Sequence, residues 1–282
     1  MIPQLRAHQK VLTEATIALS GRITWEDQVC QTYQHDAFGR LLDYSGSAIL
    51  ALQHELYAGA VPQALLLLEQ LIDLRYALFT DLQAAVRVMA KQEHAFAEAE
   101  KRALTWRHYA KQEDAAERDF AQQRLQFLRS LRAQLSSSHP GKIVWPSLLL
   151  RARAVGFEKS YHYLFASGVD ATAQLDERTG VLNCYMRAPA EQRSVLLEAW
   201  EAERASHSVF ITAQALWLYC TTMRELWTAL AQQDGRAFDT GKLERISDEL
   251  QTIVVTCEET HAEFTSPPTQ MPEGACALPA QL

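Results

Sequence analysis

Residues 189–231 read PAEQRSVLLEAWEAERASHSVFITAQALWLYCTTMRELWTALA, and this stretch decides the fold. Pro189 suits the first turn of a helix, where its missing amide hydrogen is not needed. Apolar or small side chains then recur at alternating steps of four and three residues, which is the spacing of one helix face. The pattern therefore predicts a long central helix over 189–231. The side chains on this face are Val195, Ala199, Ala202, Ser206, Val209, Ala213, Leu216, Cys220, Met223, Trp227 and Leu230.

A second row on the same helix is also largely apolar, so we expect this helix to pack on two sides. Glu203 and His207 interrupt the row, four residues apart on one face. A buried pair of this kind is expected to satisfy its own hydrogen bonds, and a metal site is the less favoured alternative. We therefore predict no metal and no other cofactor. The row consists of Leu196, Trp200, Glu203, His207, Phe210, Gln214 and Trp217.

A helical hairpin is predicted over residues 44–90. Gly59 is expected to supply the left-handed cap that ends its first helix, and Pro62 suits the first turn of its second helix. The second helix carries one long apolar stripe, beside a stripe whose single carboxylate is Glu69. We expect Glu69 to be half-buried and to need a partner. The long stripe consists of Leu67, Leu71, Leu74, Leu78, Leu82, Ala85 and Met89.

The remaining sequence predicts more helix. Gly and Pro number only 11 and 9, and helix-forming residues dominate the basic segment 92–159 and the C-terminal stretch 242–264. The tail 266–282 contains several prolines and is expected to be disordered. Together these elements predict an all-α, multi-helix bundle built as one domain over 1–265.

Composition also argues against several classes of protein. Charged residues such as Arg6 and Lys10 interrupt the N-terminal apolar positions, so no signal peptide is expected. No uncharged apolar run approaches the roughly 20 residues of a membrane span, so no membrane association is expected. The five cysteines are odd in number, widely separated and never spaced C-x-x-C. Reduced thiols in a cytoplasmic protein are therefore predicted.

Charge is unevenly distributed along the chain, whose net charge is −7. Residues 101–159 carry 12 Lys or Arg against 5 Asp or Glu, a surplus of seven positive charges. Two explanations stay open at this point. The basic segment binds RNA or an acidic partner, or it pairs with an acidic helix of the same molecule.

Two stretches together resemble a known family. The first runs from Gly59 through Phe79 and contains ALLLLE at 64–69. The second contains Trp145-x-x-Leu148, the Ala-Val-Gly turn at 154–156, Tyr161 and SGVDAT at 167–172. Their order resembles the helical domain of unknown function numbered 5677, related to the HEPN bundles of bacterial defence and toxin systems. The resemblance covers roughly residues 40 to 235 and implies an HEPN-like helical bundle.

The departures from that family bear on function. The family pattern usually has an Arg one turn before the Glu, where this chain has Leu65, and a His after the Ser-containing turn, where it has Asp170. The resemblance with these losses implies a non-catalytic or degenerate HEPN-like protein. Such a protein would act by binding a protein partner or a second copy of itself, in bacterial defence or stress response. Glu69, Asp170, Glu203 and His207 are the candidate pocket residues.

A metal-independent ribonuclease is the alternative function. HEPN ribonucleases carry an Arg, a short spacer and a His, which steady the phosphate and move protons. Arg102 and His108 have this spacing and are the candidate catalytic residues, displaced from the position that the family implies. In that case, RNA would bind through the basic segment 101–159.

Two further groups of residues point to less favoured functions. Glu258 and His261 share a helix face, as in carboxylate-bridged di-iron bundles, but no second copy of the motif is present. Arg151 and Arg153 precede the turn at Gly156, which faintly suggests a helix-turn-helix. The second helix of that unit is poor in base-reading side chains, so DNA binding is disfavoured.

Overall fold

The structure is a computed structural model that describes residues 1–80, 83–110, 115–138, 144–166, 183, 185–234 and 240–265. The described residues are overwhelmingly helical and contain no strand, which confirms the all-α prediction. Asp170 and the tail 266–282 lie outside the described residues. The helices are α1 (Ile2–Ser20), α2 (Gln28–Gln53), α3 (Tyr57–Leu78), α4 (Ala84–Ala110), α5 (Ala115–Ser138), α6 (Leu148–Ala154), α7 (Glu158–Ala166), α8 (Ala190–Asp234) and α9 (Thr240–Thr265).

The chain divides into two compact units, which are described separately. Unit 1 contains residues 1–23 and 37–71 and the described part of 157–282. Unit 2 contains residues 24–36 and the described part of 72–156. The prediction of one domain over 1–265 stays a prediction.

Helix α8 is the centre of unit 1, and its continuous 45 residues confirm the predicted long helix. From His207 to Met223 its side chains are buried, apart from three that are partly exposed. The three partly exposed residues, Gln214, Trp217 and Thr221, lie on one face, and the other faces of this stretch are buried. A helix that is buried over most of its circumference forms the middle of a bundle, and α1 and α9 both pack against α8. The predicted apolar face is exposed in the first third of the helix, where the Val195 side chain is 64% exposed.

Polar groups inside unit 1 form specific links between the helices. The hydroxyl groups of Thr16 and Tyr219 share a buried hydrogen bond of 2.5 Å, and burial raises the pKa of Tyr219 well above its usual value. On another side of α8, the Ser208 hydroxyl donates to the backbone oxygen of Tyr57 at 3.1 Å. These bonds orient α1 and the start of α3 on the central helix.

The described cysteines, Cys30, Cys220 and Cys257, are buried and carry free thiols. Burial raises the pKa of all three thiols, that of Cys220 to about 12. The Cys220 thiol donates to the backbone oxygen of Leu243 at 3.3 Å, as expected of a small core residue. Thiols with raised pKa values are poor nucleophiles, so these cysteines contribute packing.

The turn between α2 and α3 differs from the prediction. Glu55, with φ of 59°, is the left-handed residue, and Gly59 lies inside the first turns of α3. The Leu56 amide donates to the Ala51 oxygen at 2.8 Å and the Glu55 amide to the Leu52 oxygen at 3.2 Å. This is the hydrogen bonding of a Schellman cap, whose left-handed position most often holds Gly. The cap is therefore formed four residues earlier than the sequence suggests.

The second helix of the predicted hairpin also ends early. The apolar stripe from Leu67 to Met89 predicts one helix, but α3 ends at Leu78 and α4 begins at Ala84. The Thr80 hydroxyl donates to the backbone oxygens of Arg75 and Tyr76 at 3.1 and 3.2 Å. Two carbonyls of the last turn thus bond to this side chain, and the apolar spacing resumes in a separate helix.

Unit 2 contains an α4–α5 pair joined by a narrow apolar seam. Ala103, Leu125 and Leu128 are buried there, with Phe96 and other partly buried side chains packed against them. Helix α6 starts at the Ser147 cap, and the chain turns at Gly156, with φ of 78°.

Replacement of Glu55 by Gly tests the left-handed cap. A non-glycine residue in this conformation costs roughly 1 kcal/mol, so Glu55→Gly should raise the free energy of unfolding by about that amount. Urea unfolding measures the change. His54→Gly is the matched control and should not stabilise the protein, since His54 does not have positive φ. Equal effects of the two substitutions would contradict the cap.

The His8–Glu249 contact predicts an acid-side loss of stability. His8 is buried in α1, with Nε2 3.3 Å from the Glu249 carboxylate of α9. Burial lowers the pKa of His8 below its usual 6.5, and the Glu249 charge only partly opposes this. The unfolded chain therefore binds the proton more readily than the folded chain. Folding with a neutral His8 therefore costs nothing above about pH 6.5, where the unfolded chain is also neutral at this position. As the pH falls toward the folded-state pKa, the unfolded chain is favoured by its bound proton and the free energy of unfolding decreases.

Urea unfolding between pH 7.5 and 5 should show this loss, and His8→Gln should reduce it. The matched control is His94→Gln, because His94 is exposed on α4. The quantity compared is the change in the free energy of unfolding with pH. If His8→Gln leaves it unchanged, or if both substitutions reduce it equally, His8 is not responsible for the loss.

Candidate functional site

A buried carboxylate with two cations lies in unit 2. Asp73, near the end of α3, is only 5% exposed. Its Oδ1 accepts a hydrogen bond from Nε of Arg151 in α6 at 2.7 Å, and its Oδ2 accepts from Nζ of Lys91 in α4 at 2.6 Å. The Lys91 ammonium also donates to the Tyr33 hydroxyl at 3.0 Å. One carboxylate thus ties three helices together by charge-assisted hydrogen bonds.

The indole of Trp145 lies beside the same charges. The guanidinium of Arg151 is 4.7 Å from the ring centroid and the ammonium of Lys91 is 5.7 Å from it. Tyr76 meets the indole edge-on, with centroids 5.3 Å apart. Arg151 also donates to the backbone oxygen of Pro146. The aromatic face and the carboxylate together compensate the buried cation of Arg151 and the partly buried cation of Lys91.

The sequence reasoning missed this cluster. Arg151 precedes the turn at Gly156 that faintly suggests a helix-turn-helix, but it is buried and paired with Asp73. The available signal was Asp73 itself, a lone acid between Ile72 and Leu74 in an otherwise apolar stretch. A buried acid needs cations, but sequence spacing does not identify a partner 78 residues away. Because the carboxylate oxygens bond Lys91 and Arg151, the cluster is built for structural cohesion.

The predicted pocket residues have different surroundings. Glu69 in α3 is partly exposed, as expected for a half-buried residue, and His207 in α8 is buried. Glu203 is partly exposed one turn before His207. Asp170 lies outside the described residues. Convergence of the four on one pocket stays a prediction.

The candidate catalytic residues Arg102 and His108 are both exposed on α4. Six residues on a continuous helix separate two side chains by about 120° around the axis and about 9 Å along it. The two side chains therefore leave the helix in different directions. The side chains of Glu258 and His261 lie outside the described part of the chain.

Four buried polar atoms of unit 1 have no hydrogen-bond partner within the described ranges. They are Gln70 Nε2 in α3 and, on α8, Arg204 Nε, Gln214 Oε1 and Trp217 Nε1. Gln214 and Trp217 belong to the second row that the sequence analysis singled out. The three α8 residues span 13 positions, or about 20 Å, which is longer than one compact small-molecule site.

Ion pairs connect α4 and α5 along one edge of the helix pair. Nε of Arg129 is 2.7 Å from the Glu100 carboxylate, and Arg132 contacts both Glu93 and Glu100, at 2.7 and 3.2 Å. Hydrogen bonds from Arg129 and Arg132 lower the pKa of Glu100. Acidic residues of α4 therefore neutralise part of the basic segment 101–159 within the same unit. This supports the intramolecular explanation for those cations.

The other edge of the pair exposes aromatic side chains. Trp106 in α4 is 38% exposed, and Phe120 and Phe127 in α5 are 60% and 53% exposed. The Trp106 and Phe120 rings meet edge-on at 5.5 Å, and the guanidinium of Arg124 lies 5.8 Å from the Phe127 centroid. Arg102 is exposed one turn before Trp106. We refer to Arg102, Trp106, Phe120, Arg124 and Phe127 as the aromatic edge.

Large apolar side chains seldom cluster on a protein surface without a function. The described side chains include no group of three or more His, Cys, Asp and Glu that could hold a metal ion. No described helix is both long enough and apolar enough to cross a membrane. The aromatic edge is therefore the strongest candidate functional surface in the described part of the chain.

Comparison with known proteins finds no matching family model, no similar curated protein and no similar solved structure. The resemblance to the family numbered 5677 and to HEPN bundles therefore stays a prediction, and the candidate site depends on geometry alone.

Removal of the Asp73 carboxylate tests the buried cluster. Asp73→Ala leaves Lys91 and Arg151 without their shared carboxylate, so the free energy of unfolding should fall by about 3–5 kcal/mol. The triple variant Asp73→Leu, Lys91→Met, Arg151→Met should recover much of this loss, because no buried charge is then left uncompensated. Urea unfolding measures both. Asp119→Ala, at an exposed acid of α5, is the control. A cost below about 1 kcal/mol for Asp73→Ala would reject the account of this cluster.

Proposed function

We propose that this protein is a non-catalytic, HEPN-like helical protein that acts by binding a partner protein in a bacterial defence or stress response. The partner would bind at the aromatic edge. The defence or stress role is carried over from the resemblance of the two stretches in 59–79 and 145–172 to HEPN-related families.

The exposure of Phe120 and Phe127 is the observation that supports this function. Because the seam between α4 and α5 is narrow, it leaves both rings exposed to solvent. A shorter polar residue at either position would also be compatible with the α5 helix. Aromatic residues and Arg are enriched where proteins bind one another, because they combine large apolar area with directional polar contacts. Both residue types meet at this edge, which favours a binding function.

The ribonuclease alternative has less support. Arg102 and His108 point away from α4 in different directions, so one phosphate would not contact both without rearrangement. Three cations of the basic segment, Lys101, Arg129 and Arg132, are paired with acidic residues of α4. Those pairs weaken the electrostatic attraction that RNA binding needs.

Photocrosslinking in the native cell tests the proposed function. A benzoylphenylalanine at position 127 should form one discrete protein adduct, and the same probe at position 120 should give an adduct of the same mass. The control position is Arg118, which is exposed but lies on another face of α5. Arg124→Glu should abolish the adduct at position 127. Absence of a protein adduct at both aromatic positions would reject the proposal.

Incubation of the purified protein with total RNA tests the alternative. RNA should remain intact in the presence of a chelator. Metal-independent cleavage that His108→Ala or Arg102→Ala abolishes would establish a ribonuclease and overturn the non-catalytic proposal.

A further inference from the structure

We infer that the segment bound at the aromatic edge is an acidic amphipathic helix of the partner protein. This inference rests on the proposed function and identifies the kind of partner. It follows from three features of the α4–α5 pair, namely the spacing, the charge and the length of its exposed face.

The spacing along α5 is that of a face that packs against another helix. Phe120, Arg124, Phe127 and Leu131 follow one another at steps of four, three and four residues. The neighbouring stripe, which contains Leu125 and Leu128, is already buried against α4. Helix α5 thus carries two packing stripes, and the outer one has exposed aromatic residues at matching heptad positions. A partner helix with a repeat of 3.5 residues would keep register with such a stripe.

The charge at this edge selects an acidic partner. Arg102 and Arg124 form no ion pair in the described structure. The guanidinium of Arg124 lies 5.8 Å from the centroid of the Phe127 ring, and Arg124 is exposed. An exposed guanidinium beside an aromatic ring can still bind a carboxylate side-on. A docked helix would bring Glu or Asp to both guanidiniums while covering the aromatic rings. A basic or purely apolar helix would bury the same rings but leave the arginines uncompensated.

Other occupants fit less well. A second copy docked through the same stripe would bring Arg102 and Arg124 of both molecules into one contact, which like-charge repulsion opposes. RNA needs a continuous line of cations. Lys101 is already paired with Glu98 and Arg129 with Glu100. Arg132 is paired with both Glu93 and Glu100. An anionic membrane has the same requirement for unpaired cations.

The length of the face sets the size of the probe. Phe120 to Leu131 spans about 17 Å, or three helical turns, so a 21-residue peptide is long enough to cover it. The acidic probe is a fluorescein-labelled peptide of three identical heptads, with Leu at positions a and d and Glu at the remaining positions. Its basic twin has Lys in place of every Glu.

Fluorescence anisotropy with the full chain measures binding of each peptide. The acidic peptide should bind at least tenfold more tightly than the basic twin. Phe127→Ser should weaken the acidic peptide at least tenfold, because the ring forms the centre of the contact. The double variant Arg102→Glu, Arg124→Glu should reverse the preference and bind the basic twin more tightly. The control Arg118→Glu should change neither affinity by more than about twofold, and far-UV circular dichroism checks that each variant is folded.

Several outcomes would overturn the inference. They are no binding of the acidic peptide, equal binding of both peptides, or binding unaffected by Phe127→Ser. Tighter binding of a single-stranded RNA oligonucleotide or of phosphatidylserine vesicles at this edge would assign another occupant. A concentration-dependent dimer lost in Phe127→Ser would assign a second copy. If neither peptide binds but the crosslinked protein adduct at position 127 forms, the inference of an acidic helix is wrong and the proposed function stands. If neither peptide binds and no adduct forms, both the inference and the proposed function are rejected.

Discussion

The burial of α8 over most of its circumference, from His207 to Met223, is the constraint on which unit 1 depends. A helix buried in this way cannot remain in water by itself, so other helices must cover its buried faces. The packing of α1 and α9 on α8 meets part of that requirement. The Thr16–Tyr219 hydrogen bond satisfies a polar group in this apolar setting and specifies how α1 lies on α8. Apolar burial therefore supplies the driving force, and a few buried polar contacts supply specificity.

Unit 2 depends on a different interaction. Its helices meet around Asp73, whose two oxygens bond Lys91 and Arg151 while Trp145 lies against both cations. A buried ion pair of this kind contributes little net stability compared with apolar residues of the same volume, but it is costly to break. It therefore acts mainly as a constraint on which helices meet and in what register. The α4–α5 pair extends this unit with only a narrow seam, which leaves one edge for other contacts.

The sequence predicted the long helices well because their apolar spacing persists over many turns. Helix α8 is the clearest case, and the predicted bounds 189–231 differ from Ala190–Asp234 by only a few residues. The helix ends were predicted less well, since Glu55 occupies a cap where Gly was expected and Thr80 ends α3 through side-chain bonds. Such local hydrogen bonds override the helix propensity of the residues involved, and they produce no periodic pattern in the sequence that could predict them.

The candidate sites were harder to predict for a related reason. Spacing on one helix identified Glu203 and His207 as neighbours, but it does not reveal contacts between distant segments such as Asp73 and Arg151. The aromatic edge was also missed. Phe120 and Phe127 are visible in the sequence as apolar residues at helical spacing, and that pattern alone does not distinguish a buried stripe from an exposed one. Only the structure shows that the seam lies on the neighbouring stripe, at Leu125 and Leu128.

The central claim is that the aromatic edge is retained for binding and does not hold the fold together. The most direct test is the free energy of unfolding of the double variant Phe120→Ser, Phe127→Ser, measured by urea against the unmodified chain. The account predicts a loss within about 1 kcal/mol, because substitutions at exposed positions have small effects. A loss of about 3–5 kcal/mol, as for a phenylalanine removed from a core, would show that these rings are structural and would contradict the account.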